Sequence, residues 1–216
     1  MEAWCQRVCA AIRSVYPEAV IISGNEQNQL TADTGWRLGG QEGTDLYSMH
    51  GYPVPSWHPL RFDGMTDPLT ANLLPAYVSA ARAYGPVMLQ EFGSILTSGK
   101  ENQDLYLRRL LPACWESGAN GFLWWCLRDI RSNAHPYPTN GFEGTLGLVD
   151  DRGQVKPGLE YFLEFAAAVQ SLPVPDIESI TTGLYLSSQY YPRDNPACPG
   201  HSTEQPASGL TLARYF

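Results

Sequence analysis

Four short apolar runs, each standing beside a helical stretch, constrain the fold of this chain more than any other feature. They are "AVIISG", "DLYSMHGYP", "PVMLQEFG" and "GFLWWCLRD". A continuous apolar run of this length, bounded by turn residues, suits a strand buried on both faces of a parallel sheet. Between them the apolar period changes to that of a helix. From Glu2 to Tyr16 the residues Trp4, Val8, Ala11, Ile12 and Val15 form one apolar stripe, and Pro17 stops the helix. "DPLTANLLPAYVSAARAYG" begins with an Asp-Pro helix start and places Leu69, Leu73, Leu74, Tyr77, Val78 and Ala81 on one side. "NQDLYLRRLLPACWESG" turns Leu107, Leu110, Leu111 and Cys114 inward, with Gly118 as its C-cap. "GLEYFLEFAAAVQSL" closes the unit at Leu172.

The absence of a hairpin signal makes this an α/β pattern with parallel strands. Four such strands form a small doubly wound sheet or half of an eight-stranded barrel. The barrel reading is favoured because His50, Tyr52, Glu91, Trp124, Trp125 and Asp129 fall at or just past strand C-termini, where barrel active sites are built. Residues 1–172 form this unit. From 173 to 216 the composition turns loop-rich after the linker "PVPDIES", as at the start of an accessory domain or tail.

Charge narrows the function classes. A formal charge of -8 excludes a nucleic-acid or anionic-membrane partner, and no apolar run has the roughly 18 residues of a membrane span. Six Trp and twelve Tyr suit a site that stacks the flat apolar faces of sugar rings. Five cysteines do not make a disulfide framework, and none joins a metal-ligand cluster, so buried free thiols are expected. There is no phosphate-binding glycine loop and no GxSxG elbow, and no cofactor or metal is expected. No signal pattern precedes the first helix, which favours the cytoplasm over secretion.

A carboxylate ending a buried strand, as in "YGPVMLQEFGS", is costly unless paired, solvated or used. Glu91 is therefore the sharpest catalytic candidate. The alternative is a structural ion pair. In a parallel barrel His50 and Tyr52 would neighbour Glu91 and could hydrogen-bond it or a sugar hydroxyl. Trp124 and Trp125 are adjacent on one strand, so one enters the core while the other can floor a sugar site. Asp129 lies beside Arg128 and is either a site residue or half of a structural pair. Asn25 and Glu26 follow the first strand, and Glu26 is the acid/base candidate within the chain.

The set "DLYSMHGYP", "PVMLQEFG", "GANGFLWWCLRD" and "GFEGTLGLVDDRGQVKP", in that order, resembles the second half of the catalytic barrel of clan A retaining glycoside hydrolases. The likeness is to the cellulase- and mannanase-like family 5. It implies strands five to eight of a (β/α)8 barrel, Glu91 as nucleophile, and His50, Tyr52 and Trp124 or Trp125 around the substrate; Asp129 is added as a substrate contact from its place past a strand end. It also implies an acid/base Glu in an Asn-Glu motif ending strand four, before a helix like Glu2 to Tyr16. Asn25 and Glu26 instead follow that helix, so the register argues against them. The resemblance implies cleavage of a β-linked poly- or oligosaccharide with retention, by a chain that lacks its first half or pairs with a second copy. The alternatives are a β-galactosidase-like exo-glycosidase of the same clan and a non-catalytic sugar-binding fragment.

Overall fold

A computed structural model describes residues 2–25, 42–52, 68–94, 100–130, 144–173, 186–187 and 209–210. The elements are α1 (Glu2–Val15), β1 (Ile22–Ser23), β2 (Leu46–Gly51), α2 (Pro68–Arg82), β3 (Val87–Phe92), α3 (Lys100–Glu116), β4 (Ala119–Trp124) and α4 (Pro157–Val169), followed by the two-residue strands β5 (Leu186–Ser187) and β6 (Gly209–Leu210). Strands β1 to β4 lie side by side in chain order, and every pairing among them is parallel. The α/β expectation is met. The segment from 173 onward lies almost wholly outside the described residues, apart from the β5–β6 pair.

Apolar periodicity explains the core. Helix α2 buries Leu73, Leu74, Tyr77, Val78 and Ala81, and α3 buries Leu107, Leu110, Leu111 and Cys114, against Met49, Val87, Leu89 and Phe92 of the sheet. These are the faces that the 3.6-residue period selects. A buried leucine of this kind stabilises the fold by roughly 1.5–3 kcal/mol. Gly118 adopts φ +90° and its N–H donates to Trp115 O, ending α3 as a C-cap glycine does.

Two features go beyond the apolar pattern. The stripe of α1 lies largely open among the described residues: Trp4, Ile12 and Val15 are 52%, 41% and 87% exposed, and Cys5 and Cys9 are the buried positions. The reason is what α1 packs against. Arg13 donates to the Gly43 carbonyl and pairs with Asp45 at 2.8 Å, fastening the helix to the turn before β2. Gly43 has φ +98°, and a Cβ there would sit 3.0 Å from Cys9 Cβ, so the turn and the cysteine face of α1 fit only with glycine. The other feature is β1, which is half-buried and pairs with β2 alone, at the edge of the sheet.

Strand β4 also ends earlier than its apolar run. It stops at Trp124, and the chain then meets the segment before α4 through an isolated Arg128–Val149 bridge. The turn expected around Asp151 and Gly153 is present. Asp150 accepts hydrogen bonds from the N–H groups of Arg152 and Gln154, and Gly153 has φ +87°.

Candidate active site

The C-terminal ends of β2, β3 and β4 converge on Glu91. Parallel pairing places His50 opposite Glu91, because the register shifts between Met49 and His50. Tyr52 follows the end of β2, and its hydroxyl donates to Glu91 Oε1 at 2.5 Å. His50 Nδ1 lies 3.5 Å from the other carboxylate oxygen. The carboxylate thus has a phenol on one oxygen and an imidazole beside the other, while its side chain stays 32% exposed. Charge-assisted bonds to an ionised carboxylate are the stronger kind. A carboxylate so fixed and still open to solvent can act on a ligand, which a fully enclosed structural pair cannot.

The Gln90 side chain is a contact that sequence reading missed. Its Oε1 lies 3.3 Å from His50 Nε2, so both nitrogens of the His50 ring face β3. Strand alternation alone would send Gln90 away from Glu91. The irregular pairing of β3 with β4 between Leu89 and Phe92 is the local departure that accompanies this arrangement.

The tryptophans divide. Trp124 is turned into the core, edge-on to Phe92 at a centroid distance of 5.2 Å, and its Nε1–H donates to Leu146 O at 2.7 Å. Trp125 packs with Tyr52 and Leu146 beside the site. Its N–H donates to Phe92 O, and its peptide bond to Cys126 is cis. Trp125 thus stands beside Tyr52 and Glu91, whereas Trp124 fixes the strand end.

Asp129 takes part in a structural pair, though not with the residue beside it. Its Oδ1 accepts from Lys156 Nζ at 2.6 Å and from the Gly147 N–H at 2.8 Å. The partner is not the neighbouring Arg128 but a lysine that is only 2% exposed, at the N-terminus of α4. Spacing could not reveal this pair, since it depends on the chain returning after the β4–α4 connection. Asn25 is buried at the end of β1. Its N–H donates to Ser48 Oγ and its carbonyl accepts from the His50 N–H, which ties β1 to the site residues of β2. Glu26, the acid/base candidate, lies outside the described residues. Among the described residues no group of three or more His, Cys, Asp or Glu could hold a metal, and no helix is long and apolar enough to cross a membrane.

No family model matches the chain, and no curated protein matches it. Solved structures do. An exo-β-1,4-mannosidase from Opitutaceae bacterium strain TAV5 is 58% identical over 77% of this chain, with a TM-score of 0.71. A GH5_18 protein from Streptomyces cattleya, crystallised with GlcNAc, is 19% identical over 81% of the chain with a TM-score of 0.68, which shows the shared fold. A β-glucuronidase from Ruminococcus gnavus is 17% identical over 76% of the chain, with a TM-score of 0.55. The chain spans only 32%, 44% and 29% of these three proteins. A parallel β1–β4 sheet with its helices, matched to a fraction of each barrel, makes this chain part of a barrel of the GH5 type.

Proposed function

We propose that this chain carries the nucleophile half of a retaining β-glycosidase site, with Glu91 attacking the anomeric carbon. The observation that carries the reading is the solvent-open Glu91 carboxylate held between Tyr52 and His50 at the strand ends. In the first step a Glu91 oxygen forms a bond to the anomeric carbon as the bond to the leaving oxygen breaks, through an oxocarbenium-like transition state. The Tyr52 hydroxyl orients the carboxylate, and Trp125 offers an apolar face to the sugar ring. A carboxylic acid on another strand protonates the leaving group and later activates water. The 58% identity to an exo-β-1,4-mannosidase favours a β-mannoside as the sugar.

The rest of the barrel is the partner this surface suits. Among the described residues β1 pairs with β2 alone and β4 with β3 alone, and large apolar side chains stand exposed on α1, at Trp4, Ile12 and Val15, and on and after β4, at Leu123 and Leu127. Strands from the first half of such a barrel would pair with these edges and cover that surface.

An activated substrate tests the nucleophile without needing the acid. The 216-residue chain is incubated with a 2,4-dinitrophenyl 2-deoxy-2-fluoro-β-mannoside, whose leaving group departs unprotonated and whose fluorine slows hydrolysis of the covalent product. The expected result is a mass increase of one fluorosugar on the peptide containing Glu91, absent from Glu91→Gln. Labelling elsewhere, or saturable sugar binding with no label, would overturn the assignment and leave a binding fragment.

A further inference from the structure

The geometry points to Leu146 as a positioning residue for Glu91, acting through Tyr52 and held in place by the buried Asp129–Lys156 ion pair. The inference rests on the reading of Glu91 as the nucleophile. Leu146 is fully buried and forms a small cluster with Tyr52 and Trp125, separate from the main core. Its side chain closes around Gly93 together with the Tyr52 ring and the Trp125 carbonyl: a Cβ at Gly93 would lie 2.8 Å from Trp125 O, 3.0 Å from the Tyr52 ring and 3.2 Å from Leu146 Cδ2. No space remains between these groups. The Tyr52 ring is therefore held on one side by an apolar wedge while its hydroxyl reaches Glu91.

The backbone at and beside that wedge is immobilised by hydrogen bonds with four side chains. Lys156 Nζ donates to Thr145 O at 3.0 Å, Trp124 Nε1 donates to Leu146 O at 2.7 Å, and the Gly147 N–H donates to Asp129 Oδ1 at 2.8 Å. Gln103 Nε2 donates to Gly147 O at 3.2 Å. Lys156 and Asp129 also meet each other at 2.6 Å. A buried ion pair adds little net stability over a well-packed apolar pair, yet breaking one partner is severe, so its use lies in fixing geometry. Here what it fixes is the stretch 145–147, and with it the side chain that supports Tyr52.

The test uses the full 216-residue chain with 3-fluorotyrosine at position 52. Its 19F resonance reports the Tyr52 ring directly, and the rate of Glu91 labelling by the fluoromannoside reports the consequence. Leu146→Ala is expected to move the resonance and slow labelling about tenfold, while Leu146→Met, which keeps the volume, stays within about threefold of the parent. Lys156→Met moves the same resonance from a distance, and pairing it with Asp129→Leu returns a folded chain if the single change does not fold. In a Tyr52→Phe background Leu146→Ala adds less than about a twofold loss, because both act through one contact. An unmoved resonance in Leu146→Ala and Lys156→Met overturns the inference, as does equal slowing in both backgrounds. If the parent chain takes no label, the nucleophile reading fails, and the resonance alone then decides whether Leu146 and Lys156 place Tyr52.

Discussion

The Tyr52 hydroxyl donates to Glu91 Oε1 at 2.5 Å, between residues 39 positions apart that neighbouring parallel strands deliver to one point. Removing this bond tests how much the carboxylate depends on it. A hydrogen bond to a charged group is worth roughly 1.5–3 kcal/mol, and water reaching the half-exposed carboxylate reduces the loss. Tyr52→Phe should slow Glu91 labelling by about tenfold, with the unfolding midpoint nearly unchanged. His50→Ala should cost less, because its contact is longer, at 3.5 Å. Labelling rates by mass spectrometry, with urea unfolding as the control, decide both.

Gly147 sits where no side chain fits. A Cβ there would stand 2.2 Å from Asp129 N and 2.5 Å from Val149 O, and backbone atoms cannot move aside cheaply. Gly147→Ala should destabilise the chain by about 2–4 kcal/mol. Gly24 has nothing within 4 Å of the corresponding position, so Gly24→Ala should be neutral or slightly stabilising. Urea midpoints compared at constant m-value separate the two.

Tyr106 is fully buried on α3, and its hydroxyl has no hydrogen-bond partner among the described residues. Leaving a hydroxyl without a partner is costly, so Tyr106→Phe should raise stability by up to about 1 kcal/mol. Burial also pushes the Tyr106 phenol, and the Cys114 thiol on the same helix, well above their usual values of 10.0 and 9.0. A raised value in the folded chain means the unfolded chain loses its proton first. Stability is therefore intact below pH 9 and falls as the pH rises past 9 and then 10. Tyr106→Phe with Cys114→Ser, or with Cys114→Ala, should flatten that alkaline decline, read from urea unfolding between pH 8 and about 11.

Asp45 governs the acid side at α1. Hydrogen bonding from the Ile21 N–H chiefly holds its carboxyl below the usual carboxylate value; partial burial opposes this, and the Arg13 guanidinium adds to the lowering. A lowered value in the folded chain means the attachment is complete above the unfolded value of 3.8 and is lost as the pH falls through the folded one. Pepsin should therefore cut within Glu2–Val15 at the acid end before it reaches the α2–α3 core. In Asp45→Asn the same cleavage should occur at higher pH, which peptide mapping would detect.

Much of this architecture was legible in the sequence because it depends on local period. The inward faces of α2 and α3, the C-cap at Gly118 and the parallel strands all follow from apolar spacing and turn chemistry, and Glu91 drew attention as a charge ending an apolar strand. The split between Trp124 and Trp125 was legible as a division, though not as to which ring enters the core. The apolar stripe of α1 was legible, but not its fastening to the Gly43–Asp45 turn through Arg13.

By itself the sequence determined an α/β unit with parallel strands, and a carboxylate at a strand end that needed an explanation. Tertiary structure decided the rest: Tyr52 and His50 at Glu91, Gln90 at His50, and Lys156 rather than Arg128 at Asp129. The physical reason is range. Propensity and periodicity act over a few residues, whereas each of these contacts joins segments 27 or more positions apart and exists only once the sheet has aligned its strand ends.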